Sequence, residues 1–311
     1  MDVEITKANG SSYRLSEHDV VVRDFVVSSI EMSPSYSGID GRHGYVDMGA
    51  TYGSRTIRIP FYIDAHDLSD VALLRDKLFE LVTDVEPFYI REMRRPKYAS
   101  MHFCDGDESV SEYGDVYVGG KRYKVRLTSS PFDIEQMFTY GFGELVFETT
   151  DLPFSESIGT TADIDSNGVN ADDELWGFGM GLTSDFREDD DPLKYTIHAK
   201  EGEYFRIFNA GNVAVHPFQM DLKITIKDVV GSDGRVHLRN QTNLDYIRIN
   251  DENITENDVF VFDGTSVTKN GTAFLRNTER TFISLNRKWN RFQLYYCESA
   301  TIEFDFRFYY L

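Results

Sequence analysis

The sequence is poor in cysteine and has no long apolar run. Only Cys104 and Cys297 occur, far apart in the chain, and two cysteines do not make a disulfide framework, so we expect synthesis in a reducing cytoplasm. No stretch approaches the roughly 20 apolar residues that span a bilayer. The N-terminus has neither the basic nor the apolar segment of a signal peptide. The sequence therefore predicts no signal peptide and no membrane partner.

Positive charge is also scarce. Lys and Arg number 32 against 52 Asp and Glu, which gives a formal net charge of -20. Such a chain is repelled by nucleic-acid phosphates, so no specific nucleic acid is expected as a partner. The charge is uneven, because residues 151–191 contain twelve acidic residues and a single base, Arg187. That segment carries 1 − 12 = −11, more than half of the total.

Catalytic motifs are missing from the sequence as well. None of the seven histidines has HExxH spacing or joins a cysteine cluster, and no GxSxG, GxxxxGK[ST] or GxGxxG motif occurs. Cys104 and His102 are near neighbours in a candidate strand, but we find no nucleophile–base pair there that passes a geometric test. The sequence therefore predicts that the protein is not an enzyme, with no catalytic residues and no bound cofactor.

The sequence does contain the alternating patterns typical of β-strands, interrupted by one stretch with helical spacing. Aromatic residues make up 14% of the chain, mostly Phe and Tyr, which favours strands. Residues 55–64 alternate between apolar and polar, and Pro60 suggests a place where strand pairing is interrupted. Residues 66–82 then show helical spacing, and Asp67 or Ser69 can cap the start. The apolar positions of the strand and the helix are Ile57, Ile59, Phe61, Ile63, Val71, Leu74, Leu78, Leu81 and Val82.

The order of these patterns predicts three regions: residues 1–151, an acidic linker at 152–175, and a second β region at 176–311. Residues 33–44 read as a polar loop rich in turn formers. The linker lacks periodicity and is rich in Ser, Thr, Gly and Asn. The second region shows short strands between turns, which is typical of a sandwich. Its last segment, residues 301–311, alternates between apolar and charged side chains.

The sharpest site-like pattern lies in the predicted linker. Asp163, Asp165, Asn167 and Glu174, with Gly168 at the turn, satisfy the spacing of a calcium-binding loop. An EF-hand also requires flanking helices, and prolines and glycines flank this loop instead. We therefore predict an acidic, solvated linker without a metal, and calcium binding by Asp163, Asp165, Asn167 and Glu174 is the weaker alternative.

One aromatic residue in the second region also has two interpretations. Trp289 lies in a basic stretch, Arg287 to Arg291, and it could stack on a sugar ring. The alternative, which large aromatic residues generally favour, is a role in a core or an interface.

The chain resembles the distal tail (Dit) proteins of long-tailed phages of Gram-positive bacteria, most closely those of staphylococcal phages. The resemblance covers nearly the whole chain and rests on the order and spacing of individually loose patterns. They are residues 55–63, 74–78, 88–90, 131–132, 157–160, 176–182, 208–211, 238–243 and 282–285, Asn290, and the aromatic last strand.

This resemblance implies a mainly β fold with a structural role. The N-terminal domain would be a tail-tube-like β-sandwich with one packed α-helix that forms a homo-hexameric ring, and the C-terminal domain a galectin-like β-sandwich. The implied location is the virion tail tip. The implied partners are the tail tube protein, the tail-associated tip protein, and receptor-binding or other baseplate proteins. The alternatives are a carbohydrate-binding adhesin acting through the C-terminal sandwich, and a tail-tube protein.

Overall fold

A computed structural model describes residues 1–95, 116–117, 120–128, 132–169, 175–176, 180–182 and 193–311. The chain divides into two compact units, Met1–Ser155 together with Leu311, and Glu156–Tyr310. Among the described residues, no helix combines the length and the apolar character that crossing a membrane requires.

The first unit is built on one antiparallel sheet. Its main path runs β2-β1-β8-β10-β12-β7-β3, and β4, β9 and β11 pair with β7, β8 and β12. A 3-10 turn covers Leu15–His18, and the helix α1 covers Asp70–Val82. The strands are β1 Asp2–Thr6, β2 Ser12–Arg14, β3 Val20–Val22, β4 Val26–Val27, β5 Met32–Gly38, β6 Tyr45–Tyr52, β7 Thr56–Asp64, β8 Phe88–Arg95, β9 Val116–Tyr117, β10 Lys121–Leu127, β11 Glu135–Met137 and β12 Tyr140–Thr149.

Strand β7 confirms the predicted alternation and lies in the middle of the core. Its four predicted apolar side chains are buried, and it pairs along its whole length with β12. Pairing on its other side is broken at the predicted place. Strand β3 ends with Val22 opposite Phe61, and β4 begins with Val26 opposite Arg58. Pro60, which has no N–H to donate, lies in that gap.

Helix α1 confirms the predicted helix and packs on the sheet. Val71, Leu78 and Val82 are buried in the same core as β7. Of the two candidate caps, Asp67 performs the task, because its Oδ1 accepts the N–H of Ser69 at 2.7 Å and of Asp70 at 3.1 Å. These hydrogen bonds satisfy donors that a helix start leaves unpaired. The Asp67 hydrogen bonds with Ser69 also lower the pKa of its carboxyl group.

The second unit is a two-layered sandwich, as predicted. One sheet runs β14-β23-β16-β19-β20-β21 and the other runs β15-β22-β17-β18. Phe292 and Phe304 join the layers, with ring centroids 4.9 Å apart. The strands are β13 Ser155–Ser157, β14 Thr196–Lys200, β15 Tyr204–Asn209, β16 Leu222–Val230, β17 Arg235–Asn240, β18 Tyr246–Asn250, β19 Phe260–Asp263, β20 Ser266–Lys269, β21 Thr272–Ala273, β22 Lys288–Tyr295, β23 Ser299–Phe306 and β24 Tyr309–Tyr310.

The segment predicted as an irregular linker contains regular structure, so that prediction needs correction. Strand β13 pairs with β24, and a second helix, α2, covers Thr161–Asn167. Thr161 and Ile164 are buried, and the Thr161 hydroxyl donates to the carbonyl of Phe304 at 2.6 Å. The helix was missed because α2 buries only one short stripe of residues, which is too little for a periodic apolar pattern in an acidic segment. Residues 170–174 of this segment lie outside the described residues.

Candidate interaction surfaces

The predicted calcium pattern falls on the helix α2, where the sequence predicts a loop. Asp163, Asp165 and Asn167 all lie in this helix, and Glu174 lies outside the described residues. Residues two apart in an α-helix point about 200° away from each other. Asp163 and Asp165 therefore face different directions and do not converge on one ion as the first and third positions of a calcium loop would.

Two of these carboxylates already have protein partners. Asp163 Oδ2 accepts the backbone N–H of Thr160 at 2.7 Å, which completes the start of α2. Asp165 Oδ1 accepts the backbone N–H of Tyr195 at 2.7 Å. Calcium binding by this segment stays a prediction, and the hydrogen bonds give these two side chains a structural role without a metal.

A different group of ligand atoms lies at the start of α1. His66, Asp67 and Asp70 hold potential ligand atoms within 4.8 Å of one another, and His66 and Asp67 are exposed. One oxygen of Asp67 is committed to the helix cap. The trio is therefore explained by the polar start of a helix.

The hairpin β5–β6 is the largest exposed feature of the first unit. Strand β5 covers residues 33–38, the first half of the polar loop predicted at residues 33–44, which is a second correction. Within the described residues, the two strands of the hairpin pair with no other strand. Nearly every residue is exposed, including Met32, Tyr36, Tyr45, Met48 and Tyr52. A two-stranded hairpin is marginally stable alone, and large exposed apolar patches mark interaction sites.

A second exposed apolar surface, the β7–β12 aromatic patch, lies on the main sheet. It consists of Tyr62, Tyr140, Phe142, Met137 and Phe138. The ring centroids of Tyr62 lie 6.1 Å from Tyr140 and 6.0 Å from Phe142. Phe138 is 78% exposed at the turn between β11 and β12. Tyr62 falls on the outward side of the strand predicted over residues 55–64, so the sequence indicated its position on the sheet surface. Only the pairing of β7 with β12 brings Tyr140 and Phe142 next to it.

Trp289 lies on the outer side of the second unit, and both interpretations of this residue stay predictions. It is 37% exposed, and the guanidinium of Arg206 lies 4.8 Å from its ring centroid. Its ring also packs towards Phe208, with ring centroids 4.8 Å apart. Trp289 is therefore a surface aromatic residue anchored on a core phenylalanine.

Comparison with known proteins gives a family match for part of the first unit and a similar fold for the whole chain. Residues 8–149 match the family described as phage tail protein RIFT-related domain. The crystal structure of the Dit protein of phage SPP1, described as a paradigm of the hub adsorption apparatus in phages that infect Gram-positive bacteria, is similar to the chain with a TM-score of 0.61. That similarity has 10% identity and covers 99% of this chain and 98% of that chain.

Two further solved structures match over nearly their whole length but with low scores. They are the phage p2 baseplate in its activated conformation with Ca, at 8% identity and a TM-score of 0.33, and the same baseplate with Sr, at 9% and 0.35. Each match covers 98% of this chain and 97% of that chain. TM-scores this low carry no information about the fold of this chain. No curated protein sequence matches the chain.

Residues 8–149, which make up slightly less than half of the 311 residues, match the family of phage tail proteins with a RIFT-related domain. The whole-chain fold is that of the SPP1 Dit protein. The mainly β fold class predicted from the sequence is confirmed, and the predicted resemblance to siphophage distal tail proteins is supported by the family match over residues 8–149 and by the similar fold.

Proposed function

We propose that the protein is the distal tail protein, the structural baseplate hub, of a long-tailed phage. In this role it forms a homo-hexameric ring at the virion tail tip, joins the tail tube protein to the tail-associated tip protein, and carries receptor-binding components. The family of residues 8–149 and the SPP1 Dit fold support this role. Its work is assembly, without catalysis.

The proposal of a ring rests on one observation, namely that the first unit exposes two different apolar surfaces. A closed ring of identical subunits is heterologous, so each subunit must present two different surfaces, one for each neighbour. The first unit has two such surfaces, the hairpin β5–β6 and the β7–β12 aromatic patch. Both expose aromatic and Met side chains, which are enriched in protein interfaces. In the proposed ring, the hairpin of one copy contacts the neighbouring copy. This contact stabilises a hairpin that is only marginally stable alone.

Native mass spectrometry of the purified chain tests the ring. We expect a closed hexamer, and rings by electron microscopy. A monomer at all accessible concentrations would contradict the proposal. Open filaments would instead support the alternative of a tail-tube protein, because heterologous contacts that fail to close propagate.

A variant pair then tests the hairpin. Tyr36→Ser combined with Tyr45→Ser removes two exposed rings that lie 6.3 Å apart, and we expect the ring to dissociate. The control is Leu244→Ser, which removes an exposed apolar side chain, 60% exposed, from the second unit. The control should leave the mass of the assembly unchanged. Equal assembly by both variants would remove the hairpin from the interface.

A further inference from the structure

The sheet β15-β22-β17-β18 has a charge opposite in sign to the rest of the chain. Its strands contain basic residues and no aspartate or glutamate, in a chain with a formal charge of -20. The side chains that alternate with the buried core point outward and form what we call the arginine face. Its members are Tyr204, Arg206, Arg235, His237, Arg239, Tyr246, Arg248, Trp289, Arg291 and Tyr295.

Two arginines of this face lie directly opposite each other. Arg206 in β15 pairs with Arg291 in β22, and both side chains are exposed. Like charges in this position destabilise a sheet. Arg239 lies on the next strand, opposite Gln293, which is two residues along β22 from Arg291. The register thus brings three positive charges together, and their combined field attracts an oxyanion.

Arg206 and Arg291 are both held against aromatic rings. The guanidinium of Arg291 lies 3.6 Å from the ring centroid of Tyr204, and that of Arg206 lies 4.8 Å from Trp289. A stacked guanidinium is fixed in orientation and still directs its N–H groups outward in its own plane. That geometry suits bidentate binding of a phosphate or carboxylate group.

Some polar groups of this face have no carboxylate or hydrogen-bond partner among the described residues. Among the described residues, Arg239 and Arg291 form no ion pair with a carboxylate, and the buried Nε of Arg239 has no hydrogen-bond partner. Both ring nitrogens of His237 are also buried without a partner. Burial, followed by the charges of Arg248 and Arg239, lowers the pKa of His237. The neutralising carboxylates on this side, Asp233 and Glu279, pair with Arg235 and Arg248 towards the edge of the sheet.

The ligand must also account for the aromatic surface between the charges. Tyr204 is 53% exposed and Trp289 is 37% exposed. An acidic peptide or a free phosphate would use the guanidinium groups only. A carbohydrate that carries oxyanions offers groups for the arginines and, in addition, apolar ring faces for the aromatic side chains.

We propose that the arginine face binds an anionic carbohydrate chain, a sugar or polyol polymer that carries phosphate or carboxylate groups. Arg206, Arg239 and Arg291 bind the oxyanions, and Tyr204 and Trp289 contact the carbon skeleton. This site lies on a different unit from the surfaces proposed for the ring, so either proposal can fail while the other stands.

Isothermal titration of the full-length protein tests this site with four probes. Poly(glycerol phosphate) and polygalacturonate are the anionic carbohydrates, dextran is the uncharged one, and polyglutamate is the acidic peptide. We expect binding of one or both anionic carbohydrates, weaker at high salt, and no binding of dextran. No binding of either anionic carbohydrate would overturn the proposal. Equally tight binding of polyglutamate or of a single-stranded oligonucleotide would show an unspecific or different polyanion site and would overturn it too.

Three variants locate the site. Arg239→Gln combined with Arg291→Gln should weaken binding of the carbohydrate by about tenfold or more, because two charge-assisted contacts are lost. Arg276→Gln removes an exposed charge elsewhere in the same unit and should change the affinity by less than about twofold. Tyr204→Ala keeps the net charge and should still weaken carbohydrate binding. Equal losses in the Arg276 variant and the double variant would mean that net charge alone attracts the polymer.

Discussion

The hydroxyl of Thr161 lies 2.6 Å from the carbonyl oxygen of Phe304, and both groups are buried. The same hydroxyl oxygen accepts the backbone N–H of Phe306 at 3.0 Å. One side chain thus satisfies two backbone groups of β23 and fixes the start of α2 against the sheet. This contact turns a segment with the composition of a linker into part of a folded unit.

Thr161→Val should therefore destabilise the second unit. The variant keeps the shape of the side chain but leaves the buried Phe304 carbonyl and Phe306 N–H without their partner, at a cost of about 2 kcal/mol. Urea unfolding followed by circular dichroism measures this loss. The matched control is Ser166→Ala in the same helix, whose exposed hydroxyl donates to Ala162 at 2.9 Å. An equal loss in both variants would show that α2 depends on its local hydrogen bonds alone.

Leu78→Ala should destabilise the first unit by about 3 kcal/mol, because it removes buried methyl groups and leaves a cavity between α1 and the sheet. Leu78 is 1% exposed, whereas Leu73 in the same helix is 68% exposed. Leu73→Ala is therefore the control and should change the free energy of unfolding by less than about 0.5 kcal/mol. Chemical denaturation of both variants gives the comparison. A small effect at Leu78 would argue that the helix is loosely packed.

The carboxyl group of Asp258 should make the second unit sensitive to acid. Burial opposes ionisation of Asp258, but hydrogen bonds from Thr255, Asn270 and Lys269 outweigh it and hold its pKa at about 2, against an ordinary value of 3.8. The folded pKa lies below the unfolded one. The stabilisation is therefore complete above pH 4 and is lost as the pH falls towards 2. The shift corresponds to roughly 2 kcal/mol.

Asp258→Asn should accordingly lower the free energy of unfolding by roughly 2 kcal/mol at pH 7 and by progressively less between pH 4 and pH 2. Urea unfolding at several pH values measures this convergence. Asp263→Asn changes an exposed carboxylate at the end of β19 and serves as the control. A difference between wild type and the Asp258 variant that stays constant with pH would contradict the assignment.

Cys297 should be unreactive in the folded protein. It is 1% exposed, and burial, followed by the charge of Glu201, raises its pKa from 9.0 to about 12. At pH 8 its thiolate fraction is then about a thousandth of that of an ordinary thiol. In a Cys104→Ser background, a thiol reagent should label the chain only after denaturation. Rapid labelling without denaturant would show that β22 and β23 open readily at their connection.

The sequence alone predicted the elements whose pattern is strong and local. Ile57, Ile59, Phe61 and Ile63 alternate over a full strand, and Val71, Leu78 and Val82 repeat over three turns of helix. In both cases the spacing of apolar residues in the sequence directly predicts which side chains are buried. The calcium pattern is an equally local signal, but it assumes a loop. Asp163 and Asp165 lie in a helix instead. The prediction of a polar loop likewise missed β5, whose strand depends on pairing with β6.

Only the tertiary structure decided where the second helix lies and which side chains meet on a surface. The helix α2 has too few apolar residues for a periodic signal, and it is stabilised by the contact of Thr161 with a strand about 140 residues away. Arg206, Arg239 and Arg291 belong to three strands and become neighbours through strand register. The sequence determined the mainly β class and the packed helix. Long-range pairing decided the surfaces, because which residues lie opposite each other depends on how distant strands align.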